Sequence, residues 1–486
     1  MNLLVDQPDY DGHQSEIESG ATTLRTSGRW IMRTRVLQCV KVVALFLLPS
    51  FVRKTPKSAP SSQDIRRVFL TVYLDGLRGL FSFFVFVRHF LLPWEPWLDK
   101  GFAQTDIEAP TKMDLWRLPV VRLVYAGPSV PIFFIISGFV LAYKPLKLIR
   151  CGDLDTMGRG IISSIFRRPL RLFVPPLVTT FFVAVAVGTG RWTSPYDAMP
   201  GWEPRHPERL ESVLAQLSDW TRFALADLTH SWSWRSPQSE YDSHLWTIPI
   251  QFRASMIVFL TLMGLARANP LARGTILVAL WLYSLLQDRW EMALFFAGVL
   301  LAERSLEKMV EDTRRQGDPL SVTFAEADAA NSSPALWKRM LWRCMFLLGL
   351  YLSSFPRARH AGPVTPGFAW MSSLTDRYIY WQTYGATLLV WAMSNDTALQ
   401  RPFTWPLLKY MGLISFSLYL VHGPALHFFG YSIVAALQKA IGYQPGVALA
   451  FFLFTPIVIW IADVFWRAVD KPCALLVTRL ELICCR

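Results

Sequence analysis

Apolar runs of roughly twenty residues recur from about residue 70 almost to the C-terminus, each parted from the next by a polar or basic stretch. That pattern limits the fold more than any other feature of the chain. A helix of roughly 20 apolar residues crosses a bilayer, and in lipid each spanning segment must satisfy its own backbone hydrogen bonds. About ten such stretches can be placed, near 70–92, 119–143, 170–188, 246–266, 272–288, 289–304, 340–356, 378–394, 407–429 and 446–467. The expected fold is therefore all-α and polytopic, with about ten transmembrane helices. Composition agrees. Only 17% of the residues are charged, against about 25% in a typical soluble domain.

The formal net charge is +13. No nucleic-acid-binding motif accompanies it, so no nucleic-acid partner is expected, and the partner implied is the lipid bilayer. The basic residues instead sit between apolar runs. Lys144, Lys147, Arg150, Arg159, Arg167, Arg168 and Arg171 lie between the second and third runs, which places that stretch in the cytosol. The preceding stretch holds Glu95, Asp99, Asp106, Glu108 and Asp114 and falls on the other side. The long segment 189–245, rich in Trp and Pro, follows on that same side and is expected to form a small lid. An even number of spans leaves both termini cytosolic, in an endomembrane protein of the endoplasmic-reticulum type. Three regions result: a cytosolic N-terminal part over 1–69 with a surface helix near 36–52, a membrane domain over 70–470, and a cytosolic tail over 471–486. The 6 Cys have neither disulfide nor metal-site spacing, and no metal ligand is assigned. No internal repeat supports an inverted-repeat transporter.

The first span carries its own charges. It reads Leu74-Asp75-Gly76-Leu77-Arg78-Gly79, then a Phe-rich run, then Arg88-His89-Phe90. A charge in a span costs about 2.5–3.5 kcal/mol on insertion scales, so something must compensate. Eleven residues of helix return to within about 20° of the same face, so Arg78 and His89 share it. They are about 16 Å apart along the axis and cannot touch. They either line one polar cleft at two depths or are separate boundary residues.

These residues resemble the acyltransferase 3 family of integral membrane proteins. The family's opening Leu-Asp-Gly-Leu-Arg-Gly with an Arg-x10-His pair is matched here. So is Phe-Phe-x-x-Ser-Gly-Phe, at Phe133 to Phe139. The Arg-rich approach to the third span is matched at Arg167 to Pro175. His244-Leu245-Trp246-Thr247-Ile248-Pro249-Ile250-Gln251-Phe252-Arg253 resembles the Trp-[Ser/Thr]-x-x-x-Glu motif in its fungal form. Gly412 to His422 resembles Gly-x-x-Ser-[Tyr/Phe]-x-x-Tyr-Leu-x-His. The motifs occur in order over roughly residues 70–470.

The resemblance implies transfer of an acyl group, most often acetyl, from a cytosolic acyl-CoA to a hydroxyl. Acyl-CoA (acetyl-CoA) is then a co-substrate rather than a resident cofactor, and the acceptor is a small molecule. It makes His89 and Arg78 the catalytic residues. An alcohol attacks a thioester poorly until a base takes its proton, and histidine suits that task near neutrality. Arg78, Arg167, Arg168 and Arg171 become candidates for the phosphates or carbonyl of the coenzyme. Asp75, Ser137, Trp246, Gln251, Arg253 and His422 complete the candidate binding residues. Gln251 stands where the family usually has Glu. An amide orients but does not neutralise, so the carboxylate's task is dispensable, passes to Asp75 or Asp242, or is lost. Ser137-Gly138 also reads as a close helix-packing point, and His244 as an interfacial residue. Fungal members suggest a specialised metabolite, a polyketide or terpenoid, as acceptor. The alternatives are a glycan or lipid O-acyltransferase, a transporter-like protein, or a catalytically inactive relative.

Overall fold

The computed structural model describes residues 46–50, 62–104, 115–201, 203–232, 240–315, 336–357 and 364–484. The chain divides into two compact units, Met1–Lys57 and Ser58–Arg486. Most of the expected surface helix near 36–52 lies outside the described residues, as do Asp106, Glu108 and Asp114.

Regular structure in the second unit is helical, with no strand among the described residues. The helices of eight residues or more are α1 (Ser62–Leu91), α2 (Ser129–Arg150), α3 (Leu154–Gly188), α4 (Val213–Phe223), α5 (Thr247–Gly264), α6 (Pro270–Leu286), α7 (Trp290–Arg315), α8 (Leu336–Ser353), α9 (Tyr378–Asn395) and α10 (Pro406–Leu413). Two longer helical stretches, α11 (Ser415–Ile441) and α12 (Tyr443–Cys484), complete the unit.

A helix covers each of the apolar stretches, but the count of about ten spans does not carry over intact. Among the described residues five helices are long and apolar enough to cross a membrane: α2, α3, α5, α11 and α12. The others fall short for visible reasons. α1 carries Asp75, Arg78, Arg88 and His89, while α7 carries Glu291 and Glu303 and ends in a charged run. α6 is apolar but has only 17 residues.

The basic stretch between α2 and α3 is not a loop. α2 runs to Arg150, only Cys151 to Asp153 intervene, and Asp153 caps α3 by accepting from the backbone of Thr156 at 3.0 Å. At 1.5 Å per residue, the 35 residues of α3 exceed a hydrocarbon core of about 30 Å. The basic residues therefore ride on helical extensions.

Two close crossings set the geometry. α2 meets α7 at Gly138 and Gly298: a Cβ at Gly138 would lie 2.1 Å from the Phe295 carbonyl oxygen, and one at Gly298 would lie 2.1 Å from that of Ile135. α1 meets α10 at Gly79 and Gly412, where a Cβ at 412 would lie 2.2 Å from the Asp75 carbonyl oxygen. Without a hydrophobic drive between helices in lipid, small residues let backbones approach and dispersion hold them. Ser137-Gly138 is thus a packing point. The second crossing lays the start of α11 along the face of α1 that bears Arg78 and His89.

Candidate functional site

The polar groups of α1 meet different partners at two levels. At the lower level Arg78 donates to the Ser415 hydroxyl at 3.2 Å and lies 3.7 Å from Asp75. Arg171 and Asp470 are within electrostatic range of it, and Arg168 adjoins both Arg78 and Arg171. Three guanidiniums thus gather with two carboxylates, Asp75 and Asp470, nearby. Nε and one terminal nitrogen of Arg168 are buried and make no hydrogen bond among the described residues. Arg167 is not part of this group, because it pairs with Glu481 at 3.3 Å.

At the upper level His89 meets two further histidines. Its ring centroid lies 3.9 Å from that of His244 and 5.5 Å from that of His422, and the latter two are 4.4 Å apart. Arg78 and His89 therefore line α1 at two depths, and Ser415 and His422 on α11 face the same two levels.

His244, read from sequence as interfacial, is instead buried at the centre of this cluster. The turn before α5 puts it there. Its Nδ1 lies 2.6 Å from Asp242 Oδ1, and its backbone N–H donates to the same oxygen at 2.9 Å. A carboxylate accepts, so Nδ1 carries the proton and Nε2 presents a lone pair. His422 is held in the same tautomer by donating from Nδ1 to the Leu418 carbonyl at 3.0 Å. Gly423 closes the space behind, since a Cβ there would lie 2.7 Å from His244 Nδ1.

Tyr419 ties two of the sequence motifs together. Its hydroxyl shares a hydrogen bond of 2.7 Å with the Thr247 hydroxyl and donates to the His244 carbonyl. The Leu-Trp-Thr corner and the Tyr-Leu-x-His helix are therefore one unit.

The remaining candidates lie elsewhere. Gln251 donates to Ser137 Oγ at 2.9 Å and joins α5 to α2. The histidine-orienting carboxylate is Asp242. The Trp246 indole packs against Trp290, with ring centroids 6.3 Å apart. Arg253 is buried, 3.6 Å from Glu291, and donates to the Ser231 carbonyl at 3.3 Å. These three brace α5 against α2 and α7.

The segment expected as a lid carries short helical turns and α4, and it packs on α11: Tyr196 shares a 2.8 Å hydrogen bond with His427 Nδ1. A small niche of about 10 Å³, room for about one water molecule, lies beside Asp242 and Gly423, bordered by Trp192, Arg205 and Tyr241. Further out, Asp99 pairs with Arg88 at 3.1 Å. Burial alone pushes its carboxyl up, but Arg88, Arg357 and Arg122 outweigh that and hold it below the usual carboxylate range.

Comparison with known proteins gives the family. The profile of the acyltransferase 3 family, described as an acyltransferase domain, matches residues 71–467. An O-acetyltransferase of Phomopsis amygdali is 33% identical over 443 residues, which is 85% of this chain and 85% of that protein. An acyltransferase of a Phoma species is 24% identical, covering 84% of this chain and 95% of its own length. Another acyltransferase, from Cochliobolus lunatus, is also 24% identical, over 83% of this chain and 94% of its own. No solved structure matches the chain. The chain belongs to the acyltransferase 3 family and is a membrane acyltransferase.

Proposed function

We propose that this acyltransferase moves an acetyl group from acetyl-CoA to a hydroxyl of a small molecule, in the making of a specialised metabolite such as a polyketide or terpenoid. The observation that carries this reading is the pairing, on one helix, of an arginine level and a histidine level. Arg78 and His89 are about 16 Å apart along α1, a separation the extended pantetheine arm of coenzyme A bridges. The phosphates sit with Arg78, Arg168 and Arg171, where guanidiniums offer charge-assisted hydrogen bonds. The thioester then reaches the histidines.

The acceptor hydroxyl is activated at His89, with His244 and His422 around it. Its oxygen bonds to the thioester carbonyl carbon, the C–S bond breaks, and the hydroxyl proton ends on the sulfur of free coenzyme A. Burial of His244 and His422, with His89 partly buried beside them, shields the thioester from water. The acetyl donor is supported by the relative described as an O-acetyltransferase, and the metabolite class by the fungal sources of the relatives. The basic extensions of α2 and α3 support a cytosolic donor side and cytosolic termini, in an endomembrane.

The test is to express the chain in a host that makes candidate alcohols and to compare extracts by mass spectrometry. The reading expects a product heavier by one acetyl unit, dependent on His89. Accumulation of an unmodified solute in sealed vesicles, without coenzyme A, contradicts it in favour of transport.

A further inference from the structure

Three imidazoles from three separate parts of the chain, His89, His244 and His422, each bring one ring nitrogen to within 4.8 Å of the other two. For His244 and His422 the other nitrogen is already engaged, with the Asp242 carboxylate and the Leu418 carbonyl respectively. Each Nε2 therefore presents a lone pair. Both Nε2 atoms are buried, in side chains 7% and 0% exposed, and neither has a hydrogen-bond partner among the described residues. Buried acceptors left without a partner are costly, typically about 1–3 kcal/mol each. Ring nitrogens of three histidines gathered within 4.8 Å of one another are satisfied together by one cation.

The donor chemistry is specific. Metal-ligating histidines characteristically donate their second N–H to a carboxylate or a backbone carbonyl, which fixes the tautomer and raises ligand basicity. Both forms of support occur here. Three histidines with one open position form a catalytic zinc site, with Zn–N distances of about 2.0–2.1 Å. Tetrahedral angles then place the nitrogens about 3.4 Å apart. Closing from the widest separation needs about 1.4 Å, within reach of side-chain rotation.

We infer that His89, His244 and His422 bind a divalent transition-metal ion, with zinc the best match to this donor set, and leave a fourth position for the acceptor hydroxyl. The inference rests on the reading of this cluster as the place where the hydroxyl is activated, and it specifies how. A bound ion makes the hydroxyl more acidic. His89 then serves as a ligand, and the proton passes directly to the departing thiolate.

The test uses the full chain purified in detergent and dialysed against metal-free buffer. Zinc per chain is measured by mass spectrometry for the wild type, His244→Gln and His422→Gln, each checked for monodispersity and helical content. The expected result is about one zinc per wild-type chain and a tenfold or greater loss in the variants. Replacement by cobalt in the wild type gives a second readout that needs no variant: visible ligand-field bands of tetrahedral cobalt. Zinc retained equally by the variants overturns the site. So does a wild type that lacks both zinc and cobalt bands yet still transfers acetyl groups in chelator, and that result leaves the acyltransfer reading standing. Stoichiometric zinc without any acetyl transfer supports the site and removes the acetyl-CoA reading instead.

Discussion

Asp242 accepts from both the ring Nδ1 and the backbone N–H of His244, at 2.6 and 2.9 Å, and so fixes that imidazole's tautomer and orientation against His89. Asp242→Asn keeps the shape but loses the charge. Acetyl transfer is expected to fall about 10- to 100-fold, the usual cost of losing a histidine-orienting partner. Turnover of acetyl-CoA at equal amounts of folded protein checks this. Unchanged turnover removes Asp242 from the machinery.

Gly423 is the backing of the same imidazole. In Gly423→Ala the new methyl sits 2.7 Å from His244 Nδ1 and 3.3 Å from Asp242 Oδ1, so the pair must move. A displacement of the order of 1 Å costs on the order of 100-fold in rate. Helical content and membrane abundance stay the same while activity drops, which a paired assay and immunoblot would show.

Tyr419→Phe deletes one hydroxyl that serves Thr247 and the His244 carbonyl. Stranding buried partners costs about 1–3 kcal/mol. The melting temperature in detergent is expected to fall, and the His244 corner loosens with it. A variant as stable and as active as the wild type contradicts the link between the two motifs.

Arg168→Gln tests the donor level. Removing one guanidinium from the group at Arg78 and Arg171 is expected to raise KM for acetyl-CoA about tenfold with little change in kcat, because the contact serves bound substrate and transition state alike. A pure kcat effect would move Arg168 into the chemistry. Arg167→Gln is the control, since Arg167 pairs with Glu481 and should leave KM unchanged.

Asp99 makes the stability depend on pH. Its folded-state carboxyl lies below the usual range because Arg88, Arg357 and Arg122 outweigh burial. Its contribution is therefore present above the unfolded value near 4 and is lost as pH falls through the lower folded value. Asp99→Asn should cost about 1–2 kcal/mol at pH 7 for this partly exposed pair, and the difference should vanish in acid. Melting curves of both proteins across that range decide it.

What the sequence disclosed depends on how locally each feature is encoded. Arg78 and His89 lie on one helix, so helix arithmetic alone placed them on one face at two depths. Ser137-Gly138 read as a packing point for the same reason: a small pair in an apolar run has few other uses. His244 is different. Its place beside His89 depends on how the segment 189–245 folds over α11, which no short-range pattern reports. The signal that was present is Asp242-x-His244, a carboxylate two residues before an imidazole at a helix start. Arg253 and Trp246 adjoin the motif and were grouped with the site, yet their partners, Glu291 and Trp290, sit on α7 and brace the bundle. The count of about ten spans is not confirmed: among the described residues five helices are long and apolar enough to cross a membrane, and apolar stretches alone do not separate these from helices that carry charges, such as α1.

The proposed hydroxyl acetylation is expected to depend on His89. Wild type and His89→Ala, present at equal levels in membranes, are given acetyl-CoA and the candidate alcohols, and the product is followed by mass spectrometry. An acetylated product is expected from the wild type, with at least a 100-fold lower yield from the variant. Equal product from both would contradict it.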